Sequence, residues 1–209
     1  MPLSTDEKRV IGREIRQKNS GIVENRTCQN FNLVQIGGSQ TKVDGRHSDG
    51  SNWSIKNTKS SSTQVHLTTQ SSFSQHFSLN EKQDTFVRKF FGNISFLNKE
   101  RHRYKLSEIN EEEVNEFKFF LEKNKIKLIH YFISGESNIN FVVYNNKVKS
   151  TEEILKLCES CYWKYNETTI QLKDKDDKTL FHIQMKGSGN KSKMGYHGVL
   201  CHIHNNVFV

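Results

Sequence analysis

The spacing of apolar and polar positions changes period along this chain, and each change predicts an element. Ser4-Thr5-Asp6-Glu7 has the form of a capping box, and Val10, Ile11 and Ile15 follow at helical spacing. A helix to about Lys18 is expected, stopped by Asn19-Ser20-Gly21. Phe31 to Ile36 reads as a strand closed by Gly37-Gly38, and Thr41-Lys42-Val43-Asp44 and Trp53-Ser54-Ile55-Lys56 flank a turn-rich stretch from Arg46 to Asn52. That pattern predicts a β meander. Thr63 to Thr68 alternates as a further strand, with Thr63, Val65 and Leu67 on one face and Gln64, His66, Thr68 and then Gln70 on the other.

From Asn80 the period turns helical. Phe86, Phe90 and Phe91 share a face up to Gly92, and Ser107-Glu108-Ile109 opens a second helix carrying Val114, Phe117, Phe120 and Leu121. Lys127 to Ile133 is a nearly continuous apolar run, expected as a strand buried on both faces. Beyond a boundary near Gly135 to Asn138, strands are expected at Phe141 to Tyr144, Thr168 to Leu172, Leu180 to Met185 and Val199 to His204, with one helix from Ser150 to Cys158. The fold class is therefore α/β (α+β): a mixed β-sheet flanked by helices, with a β-rich C-terminal lobe. Residues 1–135 are expected to form the core, and 136–209 a β-rich part packed on the same domain.

Composition narrows the function. The 209 residues include 31 Lys and Arg against 23 Asp and Glu, a net charge of +8, and the pI is near 9.3. Only 33% of residues are apolar, yet 11% are aromatic, too many for a disordered chain, so the polarity belongs to loops and a working surface. No apolar run approaches the roughly 20 residues of a membrane span, and the N-terminus has no apolar signal core. Four cysteines make no disulfide framework, and a reducing, cytoplasmic setting is expected. The basic balance points to a polyanion partner, and its spread along the chain argues against a basic tail.

The informative stretch runs from Val43-Asp44 to Trp53-Ser54-Ile55-Lys56. An acid ends one strand, a turn follows, and Ser54 and Lys56 share a face of the next strand, where they can meet Asp44. An oxygen ligand for a hard cation beside an ammonium suits phosphodiester hydrolysis. The arrangement resembles the PD-(D/E)xK nuclease superfamily, particularly type II restriction endonucleases, over roughly residues 4 to 133. The resemblance implies Mg²⁺ as cofactor, Asp44 as the invariant acid and Lys56 as the invariant lysine. Ser54 stands where the family usually has a second acid. Glu14, on the first helix, is the candidate replacement, and Asp49, in the turn, is the next.

On that reading Gln64, His66, Thr68 and Gln70 face DNA, because Gln and Thr can read adenine edges and thymine methyls. Gln184 and Lys186 would lie on a second DNA-facing strand, with Lys191 and Lys193 in a basic loop that grips phosphates. A rival motif, Asp177 followed by Gln184-x-Lys186, resembles the Mrr-like variant of the same superfamily, although its acid lies in a turn-forming Lys/Asp-rich stretch. Cys158-x-x-Cys161 with Cys201, His202 and His204 lacks the two well-formed ligand pairs of structural zinc. The expected activity is Mg²⁺-dependent, sequence-specific cleavage of double-stranded DNA by a homodimer with no membrane association. A non-catalytic, basic nucleic-acid-binding module is the alternative.

Overall fold

The computed structural model describes residues 21–22, 24–36, 42–58, 60–92, 104–186 and 198–209. The expected first helix, with Glu14, and the basic loop carrying Lys191 and Lys193 lie outside the described residues. In chain order the elements are α1 (24–30), β1 (Val34–Gln35), β2 (Gly45–Arg46), β3 (Asn52–Lys56), β4 (Ser62–Thr69), α2 (Gln70–Phe77), α3 (Glu81–Phe90), α4 (Glu111–Lys123), α5 (Lys125–Ser134), β5 (Phe141–Tyr144), β6 (Lys147–Ser150), α6 (Thr151–Glu159), β7 (Tyr162–Tyr165), β8 (Thr169–Lys173), β9 (Thr179–Met185) and β10 (Gly198–His204). The architecture is mixed α/β, with two sheets and flanking helices, and no described helix is long and apolar enough to cross a membrane.

The chain divides into two compact units. Of the described residues, the first takes those from Gly21 to Thr58, residues 136–151 and Phe208, and it is built on a sheet of order β1-β2-β3-β5-β6. Its first three strands form the expected antiparallel meander, but β5 joins β3 in parallel, with Trp53 opposite Phe141 and Ile55 opposite Val143. A parallel pair needs a long crossover, and here the whole stretch from β4 to α5 intervenes. β5 and β6 form a hairpin whose two turn residues, Asn145 and Asn146, both have positive φ, as a primed turn requires. Cys28, Leu33, Ile55 and Val143 form the buried centre, with Phe31, Trp53 and Val148 packed around it. Gly45 lets α1 close onto the sheet, since a Cβ there would sit 3.1 Å from Leu33 and 3.3 Å from the Cys28 sulfur.

The second unit has an antiparallel sheet of order β4-β10-β9-β8-β7. Helices α2, α4 and α5 lie against one face. His66 of β4 packs on Tyr131 and Phe132 of α5, the Trp163 indole of β7 donates to the Leu121 carbonyl of α4 at 3.2 Å, and Phe73 of α2 stacks near Phe132. A second aromatic layer, Phe86, Phe90 and Phe117, joins α3 to α4.

The run Lys127 to Ile133, expected as a strand, belongs to helix α5. Leu128, Ile129, Tyr131, Phe132 and Ile133 are buried while Lys127 and His130 are exposed along one narrow edge, so the helix is covered on most of its circumference. Within the run that polar edge comprises only Lys127 and His130, and so short an apolar run cannot be told from a strand by period. The strand expected through Gln70 ends at Thr69, whose hydroxyl accepts from Ser72 N at 3.1 Å and starts α2.

Candidate active site

β2 pairs with β3 over only two residues before it peels away. Asp44, just before it, still donates its backbone N–H to Trp53 O at 2.9 Å, and its side chain then continues the ladder. Carboxylate oxygen Oδ2 accepts from Ile55 N at 2.6 Å, from Ser54 Oγ at 3.1 Å and from Lys56 Nζ at 3.4 Å. A carboxylate thus replaces a backbone carbonyl where the strand pairing ends. Ser54 is buried and the Asp44 and Lys56 side chains are only 16% and 21% exposed, so this ion pair is shielded from water on most sides. The other oxygen, Oδ1, takes no hydrogen bond among the described residues.

Helix α1 supplies a second acid. Thr27 and Cys28 are its buried positions, and Glu24 lies one turn before Cys28 on the same face. Burial, and then the Asp44 charge, push the Glu24 carboxyl above its ordinary value, while Lys56 opposes them. The Cys28 thiol is raised by burial, then by Asp44, then by Glu24. Two carboxylates and one ammonium therefore share a half-buried corner of the first unit. Like charges held together out of water are relieved by a cation between them.

Glu24 was not legible from spacing, because Asn19-Ser20-Gly21 reads as a helix stop whereas Gly21 and Ile22 are themselves helical. Its signal was the triplet Glu24, Thr27 and Cys28, an i, i+3, i+4 face with one acid. Asp49 serves its own turn instead, accepting from Ser51 N at 2.8 Å and pairing with His47 at 3.3 Å. Its carboxyl is lowered, chiefly by Ser51.

The rival motif does not assemble. Asp177 sits at the tip of the β8–β9 hairpin with φ of 59°, bound to Tyr162 at 2.6 Å and Lys173 at 2.9 Å. Gln184 lies near the far end of β9, on the order of 20 Å along the strand. The four residues expected to share a face of β4 are also separated. His66 pairs with Cys201 and Thr68 with Val199, but the register shifts between Cys201 and His202, so Gln64 falls opposite His202. His66 is buried among aromatic rings, and Gln70 begins a helix.

No group of three His, Cys, Asp or Glu side chains able to hold a metal converges among the described residues. Two carboxylates with a free oxygen on Asp44 are nonetheless a hard-oxygen donor set of the kind Mg²⁺ accepts, since it uses one or two carboxylates and keeps several waters. They fit that ion better than zinc.

No family model and no curated protein matches this sequence. Among solved structures the chain is similar to the restriction endonuclease MspI crystallised with its cognate DNA. The match has 8% sequence identity and a TM-score of 0.46, over 81% of this chain and 69% of that one. It is a partial likeness of fold.

Proposed function

We propose that this protein is a metal-dependent endonuclease of the type II restriction type, cutting double-stranded DNA at a specific sequence. The observation that carries the reading is the joining of Asp44, Ser54 and Lys56 on neighbouring strands with Glu24 beside them. Asp44, through Oδ1, and Glu24 would hold Mg²⁺, with Glu24 in the role for which Glu14, and after it Asp49, was the candidate. Such an ion polarises a phosphoryl oxygen and makes bound water more acidic.

The protein's own groups do the rest. Ser54 and Ile55 N fix the Asp44 carboxylate in one orientation. Lys56 orients the attacking water and offsets negative charge as the P–O bond breaks. Gln64, Gln184 and Lys186, with Lys191 and Lys193, would contact DNA, whereas His66, Thr68 and Gln70 would support the strand that carries Gln64. Cutting both strands of a palindromic site calls for a homodimer.

Ser54 in the place of a second acid favours a different reading, a binding module without catalysis. Plasmid DNA incubated with and without Mg²⁺ separates the two. Discrete fragments that require Mg²⁺ are expected. Asp44→Asn and Lys56→Ala should each slow cutting by on the order of a hundredfold or more, with binding in Ca²⁺ changed far less. Intact but retarded plasmid in every lane would establish the binding module.

A further inference from the structure

The five strands of the second unit's sheet read STQVHLTT, YWKY, TIQLK, TLFHIQM and GVLCHIH, without one acidic residue. One face carries α2, α4 and α5. On the other face the strand register builds a continuous polar row: Lys164 opposite Gln171, Gln171 opposite His182, His182 opposite His202, and His202 opposite Gln64. Cross-strand partners share a face, so this row crosses the whole sheet. His204 lies beside it, opposite Ser62.

The three histidines touch. His182 and His202 stack at 4.5 Å, and His182 Nδ1 lies 2.7 Å from His204 Nε2. Nδ1 of His202 is buried without a hydrogen-bond partner among the described residues. Gln64 and Lys164 at the ends of the row are exposed.

Among the described residues, the charged groups that the strands bring to the cluster are cations or already paired. β9 is followed by Lys186, close enough to His202 to disfavour its protonation, and β7 brings Lys164. β8 brings Lys173, which pairs with Asp177 at 2.9 Å; β4 and β10 bring no further charge. Asp177, at the hairpin tip, also receives Lys164 at 3.7 Å and the Tyr162 hydroxyl. Among the described residues no carboxylate is left to balance a protonated histidine.

We infer that this sheet face holds the phosphate backbone of duplex DNA, and that His182, His202 and His204 take up protons when it does. The choice of DNA as the polyanion rests on the proposed function; the rest stands on the sheet itself. In the free protein burial comes first in keeping all three rings neutral, holding His182 down to about 4 with help from its two neighbours. Phosphates laid along the row supply the missing negative charge and raise those values. The complex then binds more protons than the free protein, so affinity rises as pH falls between about 7 and 5, by at most tenfold per pH unit for each proton taken up.

The test measures binding of a fluorescent 30-base-pair duplex by anisotropy in Ca²⁺ at pH 7.5, 6.5 and 5.5, with circular dichroism checking the fold at each pH. Wild type is expected to bind about fivefold or more tightly at pH 5.5 than at 7.5. His182→Gln/His202→Gln/His204→Gln should flatten that dependence while remaining folded, and His204→Gln alone should reduce it. A wild-type slope in the triple variant, or no slope in wild type, overturns the inference. So does equal pH-linked tightening on single-stranded RNA of the same length, which would mark a general polyanion site. Cleavage in Mg²⁺ with a flat binding profile sinks this inference alone. A pH-linked, histidine-dependent profile without cleavage sinks only the nuclease.

Discussion

The two oxygens of Asp44 have different surroundings: Oδ2 takes three hydrogen bonds and Oδ1 takes none among the described residues. Deleting the side chain therefore has a structural cost apart from any catalytic one. Asp44→Ala strands the Ile55 N–H and should destabilise the protein by about 1–3 kcal/mol, whereas Asp44→Asn keeps an acceptor and should cost less. Urea unfolding of both variants gives the comparison. For Glu24, replacement by Gln is expected to slow cutting sharply and raise the Mg²⁺ concentration needed, while Asp49→Asn, in its self-contained turn, should change neither. An inactive Asp49→Asn beside an active Glu24→Gln would move the second ligand to the turn. Asp44, Ser54 and Lys56 were legible in the sequence because their spacing maps directly onto a short hairpin. Glu24 was not, because a helix reaches the sheet through tertiary packing, and the face shared by Glu24, Thr27 and Cys28 does not name the strands it will meet.

Among the elements, α3 was legible from its boundary and its stripe together. Asn80 accepts from Gln83 N at 2.9 Å while the Gln83 side chain accepts from Asn80 N at 3.2 Å, and Phe86 and Phe90 follow on the buried face. Asn80→Ala should cost about 1 kcal/mol of stability, and Asn80→Asp much less, read as shifts of the unfolding midpoint. Helix α5 shows where such reading stops. Most of its circumference is buried, so the periodic contrast that separates helix from strand was reduced to Lys127 and His130. The change from β4 to α2 escaped for a different reason: alternation through Gln70 is equally consistent with a strand, and only the Thr69 cap marks the switch.

At the scale of the molecule, the mixed α/β class followed from the succession of periods, while the pairing of β3 with β5 did not, since no local pattern names a partner so distant in sequence. The histidine-bearing sheet also contributes to the response of the protein to acid. His182 has a folded value near 4 against an ordinary 6.5, so the unfolded chain binds more protons between those limits. Stability should therefore fall as pH drops from about 6.5 toward 4, and a His182→Gln variant should show a shallower fall in thermal unfolding scans across that range. The pairing of β3 with β5 has a consequence for synthesis. The bond from Asn52 N to the Asn140 side chain joins positions 88 residues apart, and β5 closes the edge of the strand that carries Lys56. A ribosome adding about 5–20 residues per second leaves that edge waiting for roughly 4–18 s. During that interval the emerging chain shows an open strand edge and an unfinished corner around Lys56, so a chaperone acting on the nascent protein would have most to protect there.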